Sequence, residues 1–92
     1  MDVLVRALEL TGRMLAAAQA REWSQLIELE AEREPLLLRQ HASDPDSLAR
    51  LDAILAYDRQ LQAIVGSARD SAAEQWQRET DRARAIAAYA RP

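Results

Sequence analysis

The chain is 92 residues long, so one small domain is the ceiling, and a length of about 60 residues already buries roughly 60% of the unfolded surface. Nineteen Ala and thirteen Leu, against two Gly, three Pro, no Phe and almost no β-branched run, favour helix and leave a sheet little to pack with. Twelve Arg, with no Lys, face fifteen carboxylates for a net charge of −3, which gives no electropositive excess to hold nucleic acid, and the lack of Cys removes disulfides, thiol catalysis and thiolate metal sites.

Leu4, Leu8, Thr11, Leu15 and Ala18 recur at spacings of four, three, four and three, with Ala7, Leu10, Met14 and Ala17 on the adjoining stripe. That pattern predicts a wide-faced amphipathic helix over residues 2–20. Asp2 lies four before Arg6 and Glu9 four before Arg13, the favourable order for exposed helix pairs worth about 0.2–0.5 kcal/mol each. Gly12 costs about 1 kcal/mol relative to Ala inside a helix, so it either allows close approach of a neighbouring helix, the favoured reason, or is a tolerated weakness. Charges interrupt the N-terminal pattern, and the uncharged stretch Met14 to Ala20 is too short and too Ala-rich for a signal or membrane span. A cytoplasmic, soluble protein with no membrane span is expected.

The stripe lapses over Gln19 to Glu22 without Gly or Pro, which predicts a tight helix–helix connection before Trp23. A second helix follows over residues 22–40. Its inner face reads Trp23, Leu26, Leu29 or Glu30, Arg33, Leu36 and Leu37, while Glu28, Glu32 and Arg39 point outward. Pro35 lies well beyond the first turn, where it removes the bond to the Ala31 carbonyl and crowds that turn, so the helix is expected to bend there.

Residues 41–47 are the clear linker, and they end in a strong helix start: Asp44 as N-cap, Pro45 at the first helical position and Asp46 beside the positive end of the dipole. From there Leu48, Leu51, Ile54 with Leu55, Asp58, Leu61, Ile64 with Val65, Ala68, Ala72, Trp76, Ala83 and Ile86 keep helical phase. A third helix over residues 46–88 is predicted. At 1.5 Å per residue it reaches about 60 Å, whereas the first two helices are each about 28–30 Å, so half of it has no partner within the chain. Either the chain turns near Gly66-Ser67 into a four-helix bundle, or the helix continues and its distal half meets another chain. The second is preferred, because Ser-Ala-Arg-Asp after Gly66 is no turn sequence. The fold class is thus all-α, an antiparallel hairpin packed on a long third helix, and residues 1–92 read as a single helical domain.

Little here can do covalent chemistry. His41 is the sole histidine, with apolar Leu37 and Leu38 where a helical metal pair would need a ligand, and the five serines lack a positioned base. Glu28, Glu30, Glu32 and Glu34 fan around their helix and converge on no cleft. No catalytic residue, metal or cofactor is assigned. Two features resist a bland reading. Glu30 and Arg33 stand on or beside an apolar face, and Asp58 interrupts another between Leu55 and Leu61; a buried Arg33 held by Glu30 and Asp58 would fix the register of the second and third helices. Trp23 opens the densest apolar stripe and reads as core. Trp76, among Gln75, Gln77 and Arg78, reads as a self-association or ligand surface as readily as packing. Tyr57 and Tyr89 read as helix edges with the hydroxyl in water.

The string Trp23-x-x-Leu26-x-x-Leu29-Glu30-x-x-Arg33-x-x-Leu36-Leu37, preceded by Met14-Leu15-Ala16, resembles the core pattern of the FliT family of flagellar export chaperones. Ile54-Leu55-x-x-Asp58-x-x-Leu61 and Ala87-Ala88-Tyr89 resemble its third-helix and near-C-terminal segments, so the resemblance spans nearly the whole chain. It implies a cytosolic helical chaperone that binds the C-terminal region of the filament-cap protein FliD, keeps it unassembled and delivers it to the type III export machinery. Some relatives also contact the export ATPase complex or restrain the flagellar master transcriptional regulator. Relatives of that kind carry a further inhibitory segment, whereas this sequence stops at Arg91-Pro92, which puts such autoinhibition in doubt. The under-covered half of the third helix suits helix-in-groove recognition, with Ile64, Val65, Ala68, Ala72 and Trp76 as the candidate client surface or homodimer seam. A helical dimerisation or adaptor module without a client, or a regulator masking a transcription factor, would show the same face.

Overall fold

The computed structural model describes residues 2–90. Met1 and the Arg91-Pro92 end, where the doubt about autoinhibition falls, lie outside the described residues. Three helices follow in order, α1 (Val3–Gln19), α2 (Trp23–Leu37) and α3 (Pro45–Tyr89), and the described residues contain no strand. Leu37 packs with Leu4 and Ala7 while Trp23 and Leu26 pack with Met14 and Ala18, so α2 runs antiparallel to α1. Arg50 reaches Asp2 near the other end of the same sequence direction as Ala18 with Ile64, so α3 runs parallel to α1. The order is up, down, up.

The wide apolar face of α1 has a structural reason. α2 and α3 each pack on α1, and their backbones do not approach one another. A helix with a neighbour on two sides must bury two stripes. Leu4, Ala7, Leu10, Thr11, Met14, Leu15, Ala17 and Ala18 are accordingly all buried. The start is capped by Asp2, whose carboxylate accepts from the Leu4 amide at 2.9 Å. At the other end the Arg21 amide donates to the Ala18 carbonyl and the Glu22 amide to that of Ala17, with Arg21 at φ 59°. This is a Schellman closure with Arg in the left-handed position that Gly usually takes. It makes the connection to α2 as tight as the sequence predicts.

α2 runs through Pro35 but ends at Leu37, short of the predicted Gln40. The last bond goes from the Leu38 amide to the Glu34 carbonyl, and Nε2 of His41 lies 3.3 Å from the Leu37 carbonyl at this end. α3 starts as expected. Asp44 accepts from the Ser47 amide at 3.2 Å and from the Ser47 hydroxyl at 2.7 Å, with Pro45 in the first turn. The Ser47 hydroxyl and amide hold the Asp44 carboxyl below its ordinary value. From Pro45 the helix is continuous to Tyr89, past Gly66, and the chain measures 73 × 22 × 20 Å.

Several local expectations are corrected. No ion pair joins Asp2 to Arg6 or Glu9 to Arg13 among the described residues. Arg6 binds Glu9 at 3.2 Å and Glu32 at 2.7 Å, and Asp2 binds Arg50 at 2.9 Å, because cross-helix partners lie within reach of the same side chains. The hydrogen bond to Glu32 holds the Arg6 guanidinium above its ordinary value. Gly12 mediates no close approach, since a Cβ built there would meet nothing within 4 Å. Leu29 is buried and Glu30 exposed, which settles the choice between them. Leu48 and Leu55 are half exposed, because α3 touches only α1 and buries the narrower stripe of Ile54 and Leu61.

Candidate functional site

One residue from each helix meets at a polar layer in mid-body. Nη1 of Arg33 on α2 donates to Oδ1 of Asp58 on α3 at 2.6 Å and to the Thr11 hydroxyl on α1 at 3.2 Å. Thr11 in turn donates to the Ala7 carbonyl at 2.7 Å. The layer separates two apolar clusters, one of Leu10, Met14, Leu26, Leu29 and Leu61 and one of Leu4, Ala7 and Ile54. Arg33 retains 11% and Asp58 27% of their side-chain exposure, so the pair is largely desolvated and its short bond acts with little screening. Its Nε is buried and has no acceptor. Glu30, expected to hold Arg33 as well, forms no bond to it. It is turned toward solvent one helical turn away, and Thr11 completes the layer in its place.

Because α2 and α3 meet only through side chains, they leave a cleft over α1 of about 420 Å³. Met14 lies between them, Leu26 and Arg33 line the α2 side, and Asp58, Leu61 and Val65 line the α3 side, with Glu30, Gln62, Gly66 and Arg69 also on its walls. A second hollow of about 380 Å³ lies at the hairpin end, between Ala18, Arg21 and Trp23 and the α3 residues Ile64 and Ala68.

The five predicted surface residues divide among these places. Val65 lines the cleft, Ile64 and Ala68 line the hairpin-end hollow, and all three are partly buried. Ala72 and Trp76 stand exposed on the distal shaft of α3, Trp76 at 65%. Beyond Ala68 every described residue is exposed except Thr80, which is partly so. The motif residues Leu26 and Leu29 are core, Trp23, Leu36 and Leu37 pack against it, and Arg33 and Asp58 pair. Sequence reasoning missed Thr11 as the third member of the polar layer. Its signal was a hydroxyl on an otherwise apolar face at the height of two other polar intrusions.

Residues 1–91 match the family model described as Flagellar protein FliT. The chain belongs to the FliT family. FliT proteins are flagellar export chaperones, and the three-helix body with a Trp23-to-Leu37 second helix is the form that role takes here. No curated protein and no solved structure matches this FliT-family chain at a significant level. No helix of the described residues is long and apolar enough to cross a membrane, and these residues contain no group of three or more His, Cys, Asp or Glu that would hold a metal. What the arrangement offers is shape and apolar surface: a cleft floored by the core, and a shaft without intrachain cover.

Proposed function

We propose that this FliT-family chain is a cytoplasmic, non-enzymatic chaperone that binds the C-terminal region of the filament-cap protein FliD, keeps it from assembling early and hands it to the export machinery. On this reading residues 1–92 work as one helical unit. The observation that supports it is the uncovered face of α3. The stripe that packs on α1 as far as Ala68 continues in phase through Ala72, Trp76, Ala83 and Ile86, and Trp76 and Ile86 are 65% and 62% exposed. A cap-protein segment prone to self-assembly is amphipathic, and its apolar face is matched by anchors one turn apart on such a stripe.

The roles follow from size. Trp76 is the large exposed side chain that anchors a partner, Ala68 and Ala72 let a partner backbone come close, and Ile64 and Val65 join the stripe to the core. Further partners on this reading are the export ATPase complex and the flagellar master regulator, and a second copy of the chain competes for the same face. The test is binding of a FliD C-terminal segment to Val65→Glu and Trp76→Ala variants that keep the parent helical circular dichroism. Each is expected to weaken binding at least tenfold, about 1.4 kcal/mol. Unchanged affinity in both overturns this placement of the client surface.

A further inference from the structure

We infer that the outer side of α2, turned away from α1, is a docking face for a Lys- or Arg-rich amphipathic helix of another protein. It is separate from the α3 shaft of the proposed function and needs no FliD. Charge is spread unevenly along the chain. Residues 2–21 hold three Arg against two acids, and residues 39–92 hold eight Arg against eight acids, so the negative excess lies entirely in residues 22–38, with five Glu and one Arg. That Arg is Arg33, turned inward onto Asp58. Glu32 pairs with Arg6. Glu28, Glu30 and Glu34 are exposed and form no ion pair among the described residues, although Arg69 lines the same cleft as Glu30.

This placement works against α2 itself. Glu28 with Glu32 and Glu30 with Glu34 are like charges four residues apart, which repel on a helix surface. Glu34 also stands in the last turn, at the negative end of the helix dipole, and that turn holds no base to offset it. Nothing within the chain gains from the arrangement. A cationic partner relieves both repulsions at once.

The same side of α2 is apolar between its carboxylates. Ile27, Ala31 and Leu38 are spaced by four and seven residues, share one side and are all exposed, Ile27 at 67% and Leu38 at 78%. Leu26, Leu29 and Arg33 turn inward instead. Glu30 and Glu34 border the stripe on its cleft side, and Glu28 lies beyond its other edge. Its complement is a helix with apolar anchors between flanking cations. Ile27 to Leu38 covers about 16 Å, three turns, which a partner helix meets with anchors eleven residues apart. This chain supplies no such helix, because α1 buries its apolar face and α3 carries seven acids against six Arg. Trp23, at the start of α2, lies level with Ile64 and Ala68, so Trp76 stands about two turns beyond this face.

The test is a titration of the whole chain with a labelled synthetic helix of about five turns, with Leu on one side and Lys along both flanks, and with a scrambled peptide of the same composition. Fluorescence anisotropy at low salt is expected to show the ordered peptide binding about tenfold tighter than the scramble, and roughly 0.5 M salt is expected to weaken it about tenfold. Ile27→Gln/Leu38→Gln and Glu28→Gln/Glu34→Gln, each with helical circular dichroism unchanged, are expected to lower the affinity about tenfold. Glu74→Gln, an exposed acid on the distal shaft, is expected to leave it unchanged. The urea midpoint of Glu30→Gln/Glu34→Gln is expected to rise, because one repulsive pair is gone. Equal binding of the scramble, no binding, or an affinity that the α2 substitutions leave unmoved overturns the inference. So does a midpoint that falls, since these carboxylates would then serve the fold. FliD binding is expected to survive both α2 double substitutions, so this inference and the client reading fail separately.

Discussion

At Arg33 the fold concentrates its polar information. The guanidinium ties Asp58 and Thr11 across three helices at a point where two apolar clusters meet, and removing one member of a largely desolvated pair strands the other. Arg33→Ala is expected to lower unfolding stability by about 2–3 kcal/mol in urea titration, less than a fully buried pair because Asp58 keeps some water contact. Glu30→Ala is expected to stay within about 0.5 kcal/mol of the parent, as an exposed residue outside the layer. An unchanged Arg33→Ala protein contradicts the layer. The Arg33–Asp58 pair was legible in the sequence, because opposite charges intruded on two apolar faces. The exclusion of Glu30 was not, since neighbours on a helix differ by 100° and the pattern of α2 admitted Leu29 or Glu30. Asp44 adds a pH dependence. Its folded-state carboxyl lies below the ordinary value of 3.8, so its contribution is complete above that value and is lost as pH falls through the lower folded value. The stability difference between the parent and Asp44→Ala is expected to shrink as pH falls below the ordinary carboxylate value, and a difference that does not change with pH contradicts the ionised cap.

Among the elements, the ends of the helices respond most directly to substitution. Arg21 holds φ 59° to close the Schellman motif, a conformation that costs a side chain about 1 kcal/mol and glycine almost nothing. Arg21→Gly is expected to raise stability by about that amount, and Gly12→Ala likewise, because α1 has open space for the added methyl. Thermal or urea midpoints check both, and a fall in either shows an unrecognised contact. The N-cap of α3 was legible to the residue, because Asp44-Pro45-Asp46 names a cap chemically. The end of α2 was not: Pro35 announces a disturbance, and the helix runs two residues past it before the last bond from the Leu38 amide. The turn at Arg21 carried no glycine to mark it.

For the whole molecule, length arithmetic on the sequence foresaw the main property, a third helix whose distal half has no cover within the chain. It did not foresee that α2 and α3 would stand apart on α1, because spacing along each helix fixes a buried face and not the angle between two neighbours on a third. That angle opens the cleft, exposes Leu48 and Leu55, and distributes Ile64, Val65, Ala68, Ala72 and Trp76 over cleft, hollow and shaft. On the proposed reading, the uncovered shaft of α3 is where a client completes the molecule. The most direct measurement is co-purification of the whole chain with the C-terminal segment of the same organism's FliD, with light scattering on each component and on the mixture. The account predicts a stable stoichiometric complex in which self-association has given way to client. A folded chain that keeps its own mass and leaves the FliD segment unbound contradicts it.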